Sequence, residues 1–242
     1  LPGQGPVRVG IAIADLTSGM FLAQAIMMAL LQRETTGKGQ WVHTSLLESM
    51  IFMLDFQAAR WLMQGDVPGQ AGNDHPTSVP TGVFPTSDGH INIAASGNNI
   101  FERCCEALGL ADMISDPAFA QPAARSENRK QLNERFATVT RSRTSAEWIA
   151  TMTQAGVPCG PINTIDATFA EPQVQHLAIA TKVNHPELGA FDVVGQPINM
   201  TTSPRATEVA PAPNPGQHTD EILASIGYDQ ADIDALRKSG RI

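Results

Sequence analysis

The sequence has few cysteines, a deficit of basic residues and no long uninterrupted apolar run. Its three cysteines, Cys104, Cys105 and Cys159, show no C-x-x-C spacing in 242 residues. This pattern favours reduced thiols over a disulfide framework or a redox motif. The adjacent Cys104 and Cys105 are interpreted as small residues of one helix. We therefore expect a cytoplasmic protein without disulfides.

The excess of acidic residues excludes a broad class of partner. Sixteen lysines and arginines oppose 24 aspartates and glutamates, which gives a net charge of −8. Nucleic-acid recognition needs a basic surface, so no nucleic-acid partner is expected. A small anionic ligand needs only a local basic pocket and stays open. The six histidines show no ligand spacing, and we expect no metal site.

The longest apolar run, residues 20–31, is interrupted by Gln24 and is too short to cross a bilayer. No signal-peptide pattern is present, so no membrane association is expected. The first six residues predict a loop, because they contain two prolines and two glycines. Since residue 1 is leucine rather than methionine, we expect a fragment or a processed piece of a longer protein.

The first 65 residues predict part of a layered α/β domain. Residues 7–14 are typical of a short strand or an extended entry to the helix, and residues 41–47 of a strand. Between them, residues 19–34 predict a helix that is apolar nearly all round, as core helices are. Residues 46–63 predict a second long helix. This βαβ-like block indicates one part of a larger α/β layer.

The remainder of the chain predicts a second, smaller domain. Residues 66–80 are rich in Gly, Pro, Asn and Asp and predict a linker or an active-site loop. Residues 81–195 predict a small α+β domain, with a hairpin turn at Ser87-Asp88-Gly89-His90. Its other elements are helices at about 100–108, 128–140 and 145–155 and extended segments at 180–183 and 190–194. Residues 196–242 predict a proline-rich connector and two short helices, 218–226 and 230–239, that return to the large domain.

Asp15 is the most informative single side chain. It precedes the predicted apolar helix, where a carboxylate is either a helix cap or a nucleophile. A helix N-terminus favours the ionised carboxylate, and its small neighbours leave room for a ligand. The residues alone leave both interpretations open.

Two further segments could contribute to a site. The segment Asn73-Asp74-His75-Pro76 is either a loop over a site or a solvated turn. Ser96-Gly97-Asn98-Asn99 ends a strand and begins a helix, where backbone donors either cap the helix or meet an anion. Asn73, His75, Gly97 and Asn98 are therefore candidate cofactor-binding residues. Residues 35–40 contain Gly-Lys-Gly without P-loop spacing and predict a helix C-cap turn at Gly37.

Taken together, these segments resemble the family III CoA-transferases of the CaiB/BaiF type, which include formyl-CoA transferase. The likeness extends over essentially the whole chain. It is carried by Ala14-Asp15, Gly19-Met20, Arg33-Glu34-Thr35-Thr36-Gly37-Lys38-Gly39-Gln40, Gly72-Asn73-Asp74-His75-Pro76, Phe84, Asp88-Gly89, Ala155-Gly156-Val157-Pro158-Cys159-Gly160-Pro161, His185-Pro186, Gly189 and Gly216-Gln217-His218-Thr219-Asp220-Glu221-Ile222-Leu223.

The resemblance implies a Rossmann-like large domain, a smaller α+β domain and an interlocked homodimer when the chain is full length. The present sequence would supply the C-terminal part of the large domain, without the upstream half that makes most CoA contacts. At the position of Asp15, the family's aspartate attacks an acyl-CoA and passes through an aspartyl anhydride and an aspartyl-CoA thioester. CoA then moves to a small carboxylic acid. CoA is a substrate here, and no resident cofactor is implied.

Two alternatives remain at this stage. An α-methylacyl-CoA racemase uses the equivalent aspartate as an acid/base group with an upstream histidine. Such racemases tend to carry Glu where this chain has Asn98, which favours CoA transfer. The second alternative is a truncated, non-catalytic module that needs a partner chain to complete its site.

Overall fold

The computed structural model describes residue 3 and residues 5–242, so part of the loop predicted at residues 1–6 lies outside the described residues. The chain divides into two compact units, Leu1–Ile162 and Asn163–Ile242. Each unit has its own antiparallel hairpin and its own helices, and each is described separately. The predicted domain boundaries at residues 65, 80 and 195 stay predictions.

The first unit begins with a layer of three helices. These are α1 (Ile13–Thr36), α2 (Leu46–Phe52) and α3 (Asp55–Gln64). The strands predicted at residues 7–14 and 41–47 are wrong, because both segments lack ladder pairing in the described part of the chain. A strand needs a hydrogen-bonded neighbour to be stable. The βαβ-like block is therefore an all-helical layer here.

The second predicted helix is interrupted. One helix was expected over residues 46–63, but α2 ends at Phe52 and α3 begins at Asp55. Asp55 has a φ of +48°, in the left-handed region that Asp tolerates better than most residues. The start of α2 is well defined, since the Ser45 side chain accepts a hydrogen bond from the Glu48 N–H.

Helix α1 is more exposed than its composition predicts. Only Thr17 and Ser18 are buried, and apolar residues at spacings of four and seven form an exposed stripe. We define the α1 stripe as Leu16, Met20, Met27 and Leu31, which are 57%, 59%, 61% and 71% exposed. The expectation of a buried core helix is wrong for this chain by itself.

The length and composition of α1 bear on the expectation of no membrane association, which stays a prediction. It has 24 residues and a mean hydropathy of 1.5 in its most apolar window, which is long and apolar enough to span a bilayer. The core helices of soluble proteins meet the same criterion when protein covers them. The helix therefore requires an apolar cover, and its composition does not say which kind.

The core of the first unit lies between a three-stranded sheet and five helices. Strands β1 (Thr81–Pro85), β2 (His90–Ala94) and β3 (Cys159–Pro161) form an antiparallel sheet in that order, with Thr81 opposite Ala94. The predicted hairpin is confirmed. The helices are α4 (Asn98–Leu108), α5 (Asp112–Ser115), α6 (Pro122–Glu127), α7 (Arg129–Thr140) and α8 (Ser145–Gln154).

Alternation along the strands and aromatic packing explain this core. Ile91 and Ile93 of β2 point inward and are completely buried. Phe136 of α7 packs against Phe84 and Phe101, with ring centroids 5.7 and 6.4 Å away. The Trp148 indole N–H donates to the Thr140 carbonyl at 2.7 Å, which satisfies its one polar group. The core therefore joins the sheet to α4, α7 and α8.

The second unit is smaller. Its helices are α9 (Ile165–Ala170), α10 (Pro172–Leu177), α11 (Thr219–Ser225) and α12 (Gln230–Lys238). Its sheet has the order β5-β4-β6, from β4 (Ala180–His185), β5 (Gly189–Val194) and β6 (Glu208–Val209). The two C-terminal helices are confirmed, and β4 and β5 account for the extended segments that the sequence predicted.

The three cysteines are free, as predicted, and Cys159 is half-buried. Cys104 and Cys105 are buried in α4, which confirms their interpretation as helix residues. Burial raises the pKa of Cys105 to about 12 and that of Cys159 to about 11. These thiols are therefore neutral at physiological pH and poor nucleophiles.

A carboxylate joins the β1–β2 turn to the start of α8. Asp88 Oδ1 accepts hydrogen bonds from the Ser145 N–H at 2.8 Å and from the Ser145 and Thr86 hydroxyls at 2.9 Å. The bond from the Ser145 N–H has the largest effect, and together these bonds hold the pKa of Asp88 below its ordinary value of 3.8. Beside this joint, Thr144 and Glu147 form the capping box of α8.

We predict that Asp88→Asn weakens the acid sensitivity of folding. A carboxyl whose pKa is lower in the folded state stabilises the fold above its unfolded pKa, and this stabilisation is lost as pH falls through its folded pKa. Urea unfolding between pH 6 and pH 3 should show a shallower loss of stability for the variant. Glu134→Gln is the control, since its carboxylate accepts no hydrogen bond from the described residues. An unchanged pH profile for Asp88→Asn would contradict the assignment.

We also predict that Gly82→Ala destabilises the first unit by about 1–3 kcal/mol through overpacking. A Cβ at Gly82 would lie 2.5 Å from Asp74 Oδ1 and 3.2 Å from the Asn73 carbonyl. The matched control is Gly160→Ala in the same sheet, where a Cβ meets nothing within 4 Å. Chemical denaturation measures both variants, and equal losses would sink the prediction.

Candidate active site

Asp15 lies in the first turn of α1 but does not cap it. The N-cap position is Ala12, which offers no side-chain hydrogen bond, so of the two interpretations left open for Asp15 the helix cap is wrong. Its carboxylate is exposed and accepts no hydrogen bond from the residues that the structure describes. The Ser18 hydroxyl instead donates to the Ala14 carbonyl at 2.7 Å. Among the described residues, Asp15 is therefore a carboxylate without a hydrogen-bond partner, placed at the positive end of a long helix dipole.

The loop around His75 is ordered by its own hydrogen bonds. His75 Nδ1 accepts from the backbone N–H groups of Thr77 at 3.2 Å and Ser78 at 2.9 Å. The proton of the neutral ring is therefore on Nε2. The imidazole also stacks on Phe56 of α3, with ring centroids 5.6 Å apart. This contact links the loop to the helical layer that carries Asp15.

The same loop is tied to β1 and to α7. Asp74 forms an isolated bridge with Gly82, and its Oδ1 accepts from Asn133 Nδ2 at 3.1 Å. The Arg129 guanidinium donates to the carbonyls of His75 and Pro76, each at 2.8 Å. The loop that was predicted to contribute to a site is thus held in a fixed position against β1 and α7.

Next to this loop lies a cavity of about 410 Å³. Asn73 and Asp74 line one side of it, and Arg129, Lys130 and Asn133 line another. In the described part of the chain, Asn133 Oδ1 is a buried side-chain acceptor without a hydrogen-bond partner. A buried acceptor without a partner is costly, so a donor from water or a ligand fits this position.

The junction between β2 and α4 presents hydrogen-bond donors. Gly97 is the N-cap of α4, with φ −74° and ψ 147°, and makes no side-chain cap bond. The first N–H groups of an α-helix have no intrahelical partner. Gly97 and Asn98 are both exposed. These features match those expected of a place where an anionic group is held.

A fully buried arginine lies beneath this junction. Arg125 Nη2 donates to the Ser96 carbonyl at 3.0 Å and to Asn98 Oδ1 at 2.8 Å. Its remaining bonds go to the carbonyls of Val79, Phe119 and Ala120. Burial lowers the pKa of its guanidinium, which nevertheless stays charged, as arginine does in proteins.

The structure thus ties both candidate loops to α6 and α7 through separate side chains and leaves Asp15 apart from them. Arg125, Arg129 and Asn133 are four residues apart along α6 and α7. They hold the β2–α4 junction, the His75 loop and Asp74 in turn. No hydrogen bond joins Asp15 to either loop among residues 5–242. The four binding candidates Asn73, His75, Gly97 and Asn98 stay predictions.

Four residues that shape this region were not predicted from the sequence: Arg125, Arg129, Asn133 and Gly82. A spacing of four between polar residues was visible in the segment 125–133. Most such rows are solvated helix faces, however, and periodicity does not reveal a buried arginine. Gly82 has no local turn signal, because its requirement comes from the close approach of Asp74.

Comparison with known proteins adds a family to this geometry. A family model described as CoA-transferase family III matches residues 1–219. Succinyl-CoA:glutarate CoA-transferase of Mus musculus is 35% identical over 98% of this chain and 54% of its own length. Succinate–glutarate CoA-transferase of Agrobacterium fabrum is 30% identical over 93% of this chain and 56% of its own length. The chain spans about half the length of these curated relatives.

Solved structures agree with the sequence comparisons. A CaiB/BaiF family protein of Brucella suis matches 93% of this chain and 58% of its own, with a TM-score of 0.75 and 30% identity. An M. tuberculosis protein matches 92% of this chain and 59% of its own, with a TM-score of 0.76 at 22% identity, which supports the fold alone. The predicted mixed α/β fold class and the predicted resemblance are confirmed. The chain belongs to CoA-transferase family III.

Proposed function

We propose that this chain carries the nucleophile of an enzyme that moves CoA from an acyl-CoA to a free carboxylic acid. The observation that carries the proposal is Asp15, a carboxylate in the first turn of α1 that neither caps the helix nor accepts a described hydrogen bond. A carboxylate at the positive end of a helix, with no described hydrogen-bond donor, is available for attack.

In the proposed mechanism, an Asp15 oxygen attacks the thioester carbonyl carbon, and the C–S bond breaks to release CoA thiolate. The thiolate then attacks the Asp15 carbonyl of the mixed anhydride, which yields an aspartyl-CoA thioester and the free acid. The acceptor carboxylate attacks this thioester and releases the thiolate again. Attack of the thiolate on the acceptor's carbonyl forms the new acyl-CoA and restores Asp15. No net proton or electron is consumed.

A dicarboxylic acid pair is the proposed substrate class. The murine and Agrobacterium relatives are named for transfer between succinyl-CoA or succinate and glutarate. We propose that the donors of Gly97 and Asn98 hold a carboxylate or the thioester oxyanion, and that Asn73 and His75 contribute to the CoA thioester site. CoA acts as substrate, and no resident cofactor takes part. The thiols support a cytoplasmic location, since all three are free.

Two arguments favour this function over the alternatives. The relatives compared above are named CoA-transferases, and the position where racemases tend to carry Glu is Asn98. The alternative of a non-catalytic module rests on the exposure of Asp15, because an anhydride must be shielded from water. A cover over the α1 stripe supplies that shield in the proposed enzyme.

We predict that purified protein incubated with succinyl-CoA and then with hydroxylamine or borohydride is modified at Asp15, as detected by mass spectrometry. Asp15→Asn should lower succinyl-CoA:glutarate transfer by at least about a thousandfold, as expected for loss of a nucleophile. The matched control is Asp55→Asn, a helix-start carboxylate in the same layer. Asp15→Asn with wild-type transfer would remove the mechanism. Deuterium exchange at Cα of a 2-methylacyl-CoA without transfer would support the racemase instead.

We further propose that a second copy of the chain covers the α1 stripe in a homodimer of the full-length protein. Met27→Glu combined with Leu31→Glu should convert a dimer into a monomer, because two charges would be buried without partners. Light scattering after size exclusion measures the mass. Ile165→Glu is the control, since Ile165 is 78% exposed in the second unit. A monomeric wild type that floats with phosphatidylcholine vesicles would show that lipid covers the stripe.

A further inference from the structure

Arg125 is a buried cation whose hydrogen-bond partners are all neutral. Its guanidinium makes five hydrogen bonds to oxygen atoms, four of which are backbone carbonyls. The fifth acceptor is Asn98 Oδ1, and the Phe101 ring lies 4.4 Å from the guanidinium carbon. No carboxylate is among these partners. A buried charge held only by dipoles is expensive, so its placement calls for a reason beyond packing.

We propose that Arg125 is a positioning residue for CoA transfer. Arg125 holds the Ser96 carbonyl and Asn98 Oδ1 toward the protein interior. The Gly97 N–H and the Asn98 Nδ2 group then face the anionic group of the substrate. This inference rests on the proposed function and deepens it, since it assigns the origin of the donor arrangement to one side chain.

Peptide geometry explains the first donor. In a planar trans peptide, a carbonyl and the N–H of the next residue point in opposite directions. The Ser96 carbonyl accepts from Arg125 at 3.0 Å, so the Gly97 N–H points away from the buried guanidinium. Gly97 is exposed and has no side chain to obstruct a ligand.

Arg125 also fixes the orientation of the Asn98 side-chain amide. Guanidinium groups donate and cannot accept, so the amide atom 2.8 Å from Arg125 Nη2 must be the oxygen. The Asn98 Nδ2 group is therefore on the other side of the amide. Arg125 thus specifies a donor at an exposed position where an unconstrained amide could present either atom.

Electrostatics reinforces the geometry. The N-terminus of α4 adds a partial positive charge above the buried guanidinium. Three features of one junction, the helix end, the Gly97 N–H and the Asn98 amide, favour a carboxylate or a thioester oxyanion over a neutral or cationic group. Preorganised donors of this kind stabilise charge that develops in a transition state.

Asn98→Asp tests the inference without removing Arg125. The inward oxygen should form an ion pair with Arg125 and raise the melting temperature, whereas the outward oxygen should repel the substrate. We expect kcat/KM for succinyl-CoA and glutarate to fall by about 100-fold or more, as for loss of an oxyanion donor. If Arg125 and Asn98 served folding alone, Asn98→Asp would not raise the melting temperature while lowering kcat/KM.

Asn99→Asp is the matched control for stability, because it adds the same charge to the same helix turn without a described side-chain contact to Arg125. Asn98→Asp should raise the melting temperature more than Asn99→Asp does. Equal shifts in both variants would overturn the inference, as would Asn98→Asp with wild-type kcat/KM.

A double-mutant cycle tests the same dependence with the conservative variant. Lysine at position 125 keeps the charge but loses the planar fork that orients Asn98. In folded Arg125→Lys protein, Asn98→Ala should lower kcat/KM by less than twofold, against about tenfold in the wild-type background. Equal losses in both backgrounds would show that Arg125 does not act through Asn98. A wild type that transfers no CoA and forms no Asp15 adduct would overturn the proposed function, and this inference with it.

Discussion

The first unit depends on one buried guanidinium. Arg125 gathers the segment before β1, the β2–α4 junction and the loop before α6 through hydrogen bonds to their carbonyls. Five donors in a fixed plane suit this task better than lysine or glutamine would, because several carbonyls from separate segments must be satisfied at one point. The desolvation of the cation opposes burial, and the hydrogen bonds together with the Phe101 ring offset that cost. The two candidate substrate loops therefore have a common mechanical support in α6 and α7.

The exposure of α1 follows from the same physical principles as the core. Apolar residues at helical spacing require a partner surface, and in this chain only Thr17 and Ser18 of α1 are buried. The chemistry proposed for Asp15 makes the same demand, since an anhydride survives only where water is excluded. A single cover over the α1 stripe would meet both needs. The apolar composition of α1 and the sensitivity of the anhydride to water thus call for the same protecting surface over the α1 stripe.

Local signals in the sequence predicted local structure well. The Ser87–His90 turn, the helix predicted at residues 145–155 and the C-terminal helices all depend on residues close together in the chain, and the structure has each of them. The strands predicted at residues 7–14 and 41–47 failed because a strand is stable only with a hydrogen-bonded neighbour, which local composition cannot supply. Asp15 was singled out by its position before the predicted helix, and its role as a nucleophile was predicted from the family resemblance. Arg125 and Gly82 were missed because their roles arise from contacts between distant segments, such as the 2.5 Å approach of Asp74 to a Cβ at Gly82.

The separation of Asp15 from the donor-rich junction is consistent with the charges of the proposed reaction. The nucleophile carries a negative charge, and the oxygen of the carbonyl group whose carbon it attacks becomes negative, so the two groups have opposite electrostatic requirements. Asp15 has the partial positive charge of α1 and no described donor, which leaves its oxygens free for attack. The junction has several donors and a buried cation beneath it, which suits the developing oxyanion. If Asp15 were bound by those donors, its nucleophilicity would fall and the oxyanion would lose its partners. Placing the two functions on separate elements of the unit avoids this competition, with the acyl group of the substrate as the link between them.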